Sequence, residues 1–230
     1  VKRVSGSGTF NLVMPTTIAG TVRYSPTNYP PSYPSVKSVA GVTMNLTGDT
    51  NLSVMTLSDG SYSLPNVPGG GTYGVTPSKT NDSPTANGVT SLDLALIQRH
   101  ILGLTPLVSP YKLLAADVTG DRMINSLDLA LIQRLILNLS TNFPAGLWRF
   151  VPADYVFPNA TNPWNAPTNR WYTNLVADVT NENFVAIKLG DVANSWTVPS
   201  VLGCVLAKGA SGPQVVVKAT VPEVVFAVSR

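Results

Sequence analysis

A block of the sequence occurs twice with almost no change. Ser91-Leu-Asp-Leu-Ala-Leu-Ile-Gln-Arg-His-Ile-Leu-Gly-Leu104 returns as Ser126-Leu-Asp-Leu-Ala-Leu-Ile-Gln-Arg-Leu-Ile-Leu-Asn-Leu139, at a period of 35 residues. A repeat of this kind restricts the fold strongly, because both copies must take the same local structure and bury the same face. In each copy the apolar residues (Leu94, Leu96, Ile97, Ile101, Leu104; Leu129, Leu131, Ile132, Ile136, Leu139) recur at spacings of three and four, the stripe of an amphipathic helix. Ser, Thr or Asn stands before each run as a capping candidate, and Gly103 and Asn138 are C-terminal breakers. Two such helices are expected to bury their stripes against each other. Pro106 and Pro110 punctuate the connection, and a short apolar turn, Tyr111 to Ala116, is expected to pack over the pair.

What surrounds the repeat is poor in charge. Only 12% of the 230 residues are charged, against about 25% in an average soluble domain, while glycine and proline number 18 and 19. That composition excludes a coiled coil or a disordered polyampholyte, and no run of 18 apolar residues supplies a membrane span. The net charge of +3 comes from 15 basic and 12 acidic residues spread along the chain, which does not point to nucleic acid. Cys204 and His100 are each the only residue of their type, so an internal disulfide, a histidine pair for zinc and most triad chemistry are excluded. Val1 is not an initiator, and no basic-then-apolar leader follows it; any targeting peptide is expected to be removed or to lie upstream.

Residues 17–78 alternate as strands do, in Ile18–Tyr24, Val42–Leu46, Ser61–Leu64 and Thr72–Thr76, with turn clusters at Gly48–Asn51, Ser58–Gly60 and Pro68–Gly71. The spacing suits a β-sandwich. Between Ser25 and Ser38 lies a Pro/Tyr/Ser-rich insertion, read as a long loop whose Tyr29 and Tyr33 are the alternative contact surface. Leu147–Val151 and Asn183–Leu189 read as two strands flanking an aromatic stretch, Trp164, Trp171 and Tyr172. Val215–Val221 alternates again, but one or two strands cannot build a core. The expected organisation is therefore 1–16, an end strand or linker; 17–78, a β-sandwich; 79–140, the helical repeat unit; 141–197, an aromatic β extension packing on the preceding units; and 198–230, terminal strands of an incomplete or strand-exchanged domain. The fold class is mixed and mainly β.

The acids are lopsided, ten Asp to two Glu, and five of the Asp stand in two short segments before the helices. Asp117-Val-Thr-Gly-Asp-Arg-Met-Ile-Asn-Ser-Leu-Asp128 places oxygen side chains at positions 1, 3, 5, 9 and 12, the spacing of an EF-hand calcium loop. Calcium takes six to eight hard oxygens, and a loop wrapping the ion supplies them from alternate positions, with a carbonyl at position 7. The expected ligands are Asp117, Thr119, Asp121, the Met123 carbonyl and Asp128, with Ile124 turned into the core. Arg122 stands where glycine usually makes the sharp turn, and position 12 is Asp rather than Glu. The segment Asp82–Asp93 keeps its end residues but has Pro84 and Ala86 at ligand positions; Asn87-Gly88 replaces the middle Asp-Gly, which leaves Asp82, Asn87, Asp93 and the Val89 carbonyl as ligands. A capped helix start is the alternative reading of either loop. Two calcium ions are expected, the second loop being the more regular.

Residues 79–140 resemble a type I dockerin, a pair of calcium-loop-and-helix repeats lacking the entry helix, through Asp-Val-Thr-Gly-Asp-x-x-Ile-Asn-Ser-Leu-Asp and Leu-x-Leu-Ile-Gln-Arg. Residues 17–78 are similar to the carboxypeptidase-regulatory-like β-sandwich, through Gly20-Thr-Val, Gly41–Leu46, Ser58–Gly70 and Tyr73–Pro77. With Trp148–Phe157 and Phe184–Val192 the block, residues 17–196, looks like one found in large modular secreted or surface proteins of bacteria with type IX secretion. The resemblance implies a non-catalytic, calcium-rigidified extracellular module. It also implies, from cellulosomal dockerins, that Ser91, Leu92 and Arg99 in one repeat and Ser126, Leu127 and Arg134 in the other face a cohesin. Leu92 and Leu127 depart from the small polar residue usual there, so intramolecular packing of the unit is an equal reading.

Of the remaining residues, His100 is expected at a rim, Cys204 as a small buried hydrophobe, and Trp164, Trp171 and Tyr172 in packing, with a sugar platform as the alternative. Gly190-Asp191 reads as a turn, with a further calcium ligand as the alternative. Asp154, Asp178, Glu182 and Glu223 show no spacing that pairs them for glycoside hydrolysis. The expectation is a structural and interaction protein, not an enzyme, in a secreted or cell-surface multidomain or fibrous assembly. Its partners would be other protein domains or copies of itself, joined in one version by β-strand addition. The other reading is a module binding a cohesin-like protein or a glycan, appended to a secreted enzyme.

Overall fold

In a computed structural model describing residues 14–24, 37–199, 214–220 and 223–229, the strand Thr16–Tyr24 (β1) is the centre of the larger of the first unit's two sheets. Its alternation puts Ile18, Gly20, Val22 and Tyr24 on the buried face. Along one edge β1 pairs antiparallel with Lys37–Ser38 (β2) and with a strand within Ser61–Val67, and along the other it runs parallel to a strand from the far end of the unit, within Phe184–Lys188. The second sheet begins with Thr43–Gly48 (β3) and Leu52–Met55 (β4); Ser61–Val67 is β5 and Tyr73–Ser78 is β6. The helices are Ser91–Ile101 (α1), Pro110–Ala116 (α2) and Ser126–Ile136 (α3), followed by Trp148–Pro152 (β7), Arg170–Tyr172 (β8) and Phe184–Lys188 (β9).

The larger sheet has the order β2-β1-β9-β7 with β5 on β1, and the smaller β4-β3-β6-β8. Strands from 141–197 are thus hydrogen-bonded members of both sheets: β7 and β9 of the first, β8 of the second. The approach of the later segment to β1 is close enough to dictate a residue. A Cβ on Gly20 would lie 1.9 Å from the Glu182 carbonyl oxygen, so only glycine fits there. Met44 and Leu46 of β3, Tyr62 and Leu64 of β5, Val75 of β6 and Phe184 and Ala186 of β9 join one hydrophobic core that continues into the helices.

Each helix of the repeat starts with a capping box, Thr90 with Asp93 and Asn125 with Asp128. Each ends in the same way, with Gly103 at φ 69° and Asn138 at φ 55°. The Gly103 and Leu104 N–H groups donate to the carbonyls of His100 and Arg99, and those of Asn138 and Leu139 to Leu135 and Arg134, a Schellman motif in both copies. That turn corrects one expectation. Leu104 and Leu139 match the helical period but lie beyond the left-handed residue, and they are 68% and 66% exposed. The stripe buries Ile97, Ile132 and Leu135, with Leu94, Leu96, Leu129, Leu131 and Ile136 packed against them. The Tyr111–Ala116 turn is α2, whose Leu113 to Ala116 are buried and whose Ala115 carbonyl accepts the Gly190 N–H.

Gln214–Thr220 (β10) and Glu223–Ser229 (β11) form a separate antiparallel hairpin in a second unit. The 1–13 segment, the insertion with Tyr29 and Tyr33, and Cys204 lie outside the described residues. No helix among the described residues is long and apolar enough to cross a membrane.

Candidate metal centre

The second loop begins where α2 ends, and α3 begins where the loop ends, so both of its terminal carboxylates are fixed by helices. Asp117 is the C-cap of α2 and Asp128 the third residue of α3. Both are buried. Asp117 Oδ1 accepts from the Gly120 N–H (2.8 Å) and the Thr119 hydroxyl (3.1 Å), and Oδ2 from the Arg122 N–H (3.0 Å). Asp128 Oδ1 accepts from the N–H groups of Val118 (3.0 Å) and Thr119 (3.1 Å), and Oδ2 from Asn125 (3.0 Å). The Thr119 hydroxyl stands 3.1 Å from each carboxylate and so joins positions 1, 3 and 12 of the loop. Arg122 adopts φ 70°, making with a non-glycine residue the turn for which glycine is usual. Ile124 packs on the core as expected.

Among the described residues neither Asp117 nor Asp128 has a salt-bridge partner. Arg149 feels the charge of Asp117, but burial pulls its own pKa down. Burial pushes the Asp128 carboxyl up, against the pull of the Asn125 and Thr119 hydrogen bonds. Two buried carboxylates without a basic partner are costly unless a cation neutralises them. Asp117, Thr119 and Asp128 are the hard oxygen donors that calcium selects. Asp121 stands apart, exposed, with its carboxylate accepting from the Met123 N–H. No group of three or more Asp, Glu, His or Cys side chains in metal-binding array is found among the described residues. Asp117, Thr119 and Asp128 are the residues of the second loop that could hold a hard cation.

The first loop is built differently. Asp82 Oδ2 lies 3.0 Å from the Lys188 ammonium, and both side chains are fully inaccessible to solvent. The same oxygen accepts from the Trp196 indole N–H (2.9 Å), and Oδ1 from the Ser83 N–H. Asn87 is bonded through both ends of its amide to Thr197. Asp93 accepts from Thr90 on one oxygen and from the Ala193 N–H (2.7 Å) on the other, and burial raises its pKa. Val89 is buried, and its N–H donates to Ala86. Asp191, read from sequence as a turn, is buried and accepts from the Tyr24 hydroxyl (2.6 Å), Trp196 N–H and Ser195 N–H. Sequence reasoning offers Asp191 only as an alternative calcium ligand and does not find Lys188 or Trp196 as parts of this loop's surroundings. Alternation along β9 places Lys188 on the inward face with Phe184 and Ala186, and that was the available signal.

The residues expected to face a partner stay on the surface. Leu92 and Leu127 are 56% and 54% exposed at equivalent positions of the two repeats, and Ser91, Ser126, Arg99 and Arg134 are exposed beside them. Arg99 donates to the Thr105 hydroxyl. His100 accepts the Leu107 N–H on Nδ1, a structural rim contact. Trp171 departs from the packing expected of it: it is exposed on β8 and its ring covers Gly74, where a Cβ would stand 3.0 Å from the indole. Tyr172 and Arg170 contact Glu182, and Arg170 also pairs with Asp154, a network that ties β8 to the larger sheet's edge.

No curated protein and no solved structure matches the chain. The match that exists falls on the helical repeat: residues 86–137 match the model of the dockerin type I domain, a calcium-binding protein-interaction module.

Proposed function

We propose that the chain is a non-catalytic, calcium-stabilised interaction module of a modular protein or fibrous assembly outside the cell. The observation that carries this reading is the pair of buried carboxylates Asp117 and Asp128, without a salt-bridge partner among the described residues and joined through the Thr119 hydroxyl inside the dockerin-matching segment. Calcium binding to the folded loop stabilises it by mass action, because the unfolded chain does not hold the three donors together. Dockerin domains are interaction modules found in extracellular and cell-surface proteins, which supports both the non-catalytic role and the location. The resemblance of 17–78 to the carboxypeptidase-regulatory-like sandwich, and of the whole block to cargo of type IX secretion, supports the same setting.

The partner is another protein domain. Leu92 and Leu127 present matched apolar side chains beside Arg99 and Arg134, so either repeat offers a similar face. A cohesin-like domain is one occupant of that face; another domain of the same assembly is the other. Calorimetric titration of chelator-treated protein with calcium, with melting curves on the same samples, tests the proposal. Uptake of calcium with a rise in Tm is expected. Absence of both removes the calcium reading of Asp117 and Asp128.

A further inference from the structure

We infer that the first loop of the repeat pair is closed by a built-in cation, the Lys188 ammonium, and holds no calcium ion, so that the unit takes up one calcium rather than two. The inference rests on the second loop being the calcium site and narrows that reading to a stoichiometry.

Asp82 stands at position 1 of the first loop, where Asp117 stands in the second. The two carboxylates have different company. Asp117 is met by N–H and hydroxyl groups of its own loop. Asp82 is met by a full positive charge from β9: Lys188 Nζ lies 3.0 Å from Oδ2, donates 2.8 Å to the Thr85 carbonyl, and sits 5.3 Å from the centroid of the Trp148 ring. A carboxylate, a loop carbonyl and an aromatic face together make a complete ammonium site. Asp82 is therefore already neutralised, and a divalent ion on the same oxygen would be repelled by the ammonium beside it.

The rest of the loop agrees. Pro84 and Ala86 offer no side-chain oxygen at positions 3 and 5, and the Asn87 amide is occupied by Thr197. Asp93 and Asp191, the other buried acids beside the loop, accept from Thr90 and Ala193 and from Tyr24, Ser195 and Trp196. With its position-1 carboxylate on an ammonium and no side-chain oxygen at positions 3 and 5, the loop lacks the alternating donors with which such a loop surrounds calcium. Both loops thus hold a helix start against the body of the protein, one through an ion taken from solution and one through a lysine carried by the chain.

The test is calorimetric titration with calcium of the chelator-treated full chain, as wild type, Asp82→Asn and Asp117→Asn, with melting curves in chelator and in calcium. One binding event is expected in wild type, the same event in Asp82→Asn and none in Asp117→Asn. Asp82→Asn should lower Tm by the same number of degrees with and without calcium. Two events in wild type, or loss of an event in Asp82→Asn, would overturn the assignment. No event in wild type would instead sink the calcium reading of the second loop and leave the first-loop pairing standing. Should Asp82→Asn fail to fold, amine acylation of the wild-type chain in chelator, mapped by mass spectrometry, decides the matter. Lys188 is expected to stay unmodified while Lys112 reacts, and acylation of Lys188 on chelation would refute its burial in a calcium-independent pair.

Discussion

Asp128→Asn separates the two tasks of one carboxylate, capping a helix and holding an ion. Asp128 Oδ1 accepts from the Val118 and Thr119 N–H groups and shares the one Thr119 hydroxyl proton with Asp117, and Oδ2 accepts from the Asn125 N–H. An amide has only one acceptor oxygen. If that oxygen keeps the Val118 and Thr119 bonds, its NH2 group faces the Asn125 N–H and the capping box opens, at about 1 kcal/mol for the cap and about 1–2 kcal/mol for a buried donor left unpaired. The offset is electrostatic: the carboxylate is buried without a basic partner, and a neutral amide relieves about 1 kcal/mol of that burden. The net loss in chelator is then about 1–2 kcal/mol, or about 2–8 °C of Tm at the roughly 2–4 °C per kcal/mol of a domain this size. In calcium at about a hundred times Kd, wild type gains about 2.7 kcal/mol, and the variant should gain almost nothing. Melting by tryptophan fluorescence in chelator and in millimolar calcium gives both numbers. A calcium increment as large in the variant as in wild type would refute the placement of the ion at Asp128.

Other predictions concern the frame around the loops. Gly88→Ala puts a Cβ 2.6 Å from the Trp196 backbone at φ +81°, and should cost about 3 kcal/mol or more from strain and overpacking, seen as a large drop in Tm in both calcium and chelator. Arg122→Gly relieves a left-handed non-glycine residue and should raise Tm by about 1–3 °C, the conformational gain being about 1–2 kcal/mol before the flexibility of glycine is subtracted. Burial pushes the phenols of Tyr24, Tyr62 and Tyr172 far above their ordinary value, helped by the charge of Asp191 for the first and of Glu182 for the others. Their folded values lie above the unfolded value of about 10, so stability is fully present below that pH and is lost as pH rises past it. Melting curves between pH 8 and 11 should show a steep fall only above 10, and Tyr62→Phe should make it shallower.

Legibility followed the range of the interactions. The helices and their ends at Gly103 and Asn138 depend on neighbours within a turn and were readable, though the cap stays open among Ser, Thr and Asn and the stripe runs on to Leu104 and Leu139. Strands that bury alternate residues, such as β1, β3, β5 and β9, were readable as well. β4 was not, because Leu52–Met55 is only half-buried on one side and exposed on the other. Nor was β8, three residues inside a Pro- and Asn-rich stretch whose partner, β6, is distant in sequence. The second loop could be found because its donors are consecutive. The environment of the first could not, because Lys188 and Trp196 reach it from about a hundred residues downstream.

The parallel pairing of β1 with β9, Val22 to Phe184 and Tyr24 to Ala186, also sets a timetable. The central strand of the larger sheet lacks one of its two neighbours until ribosomes have made nearly all of the first unit. Loop closure over such a span is slow, and local contacts cannot substitute for it. The repeat can assemble early from its own neighbours, while the sheet must wait with an open edge. A chain stalled or cut before Phe184 would expose β1 along that edge, the kind of surface on which chains aggregate or chaperones hold on. Quality control of this protein is thus expected to act on the last strand of its first unit, β9, and pulse-labelled truncations ending on either side of Lys188 should differ sharply in protease resistance.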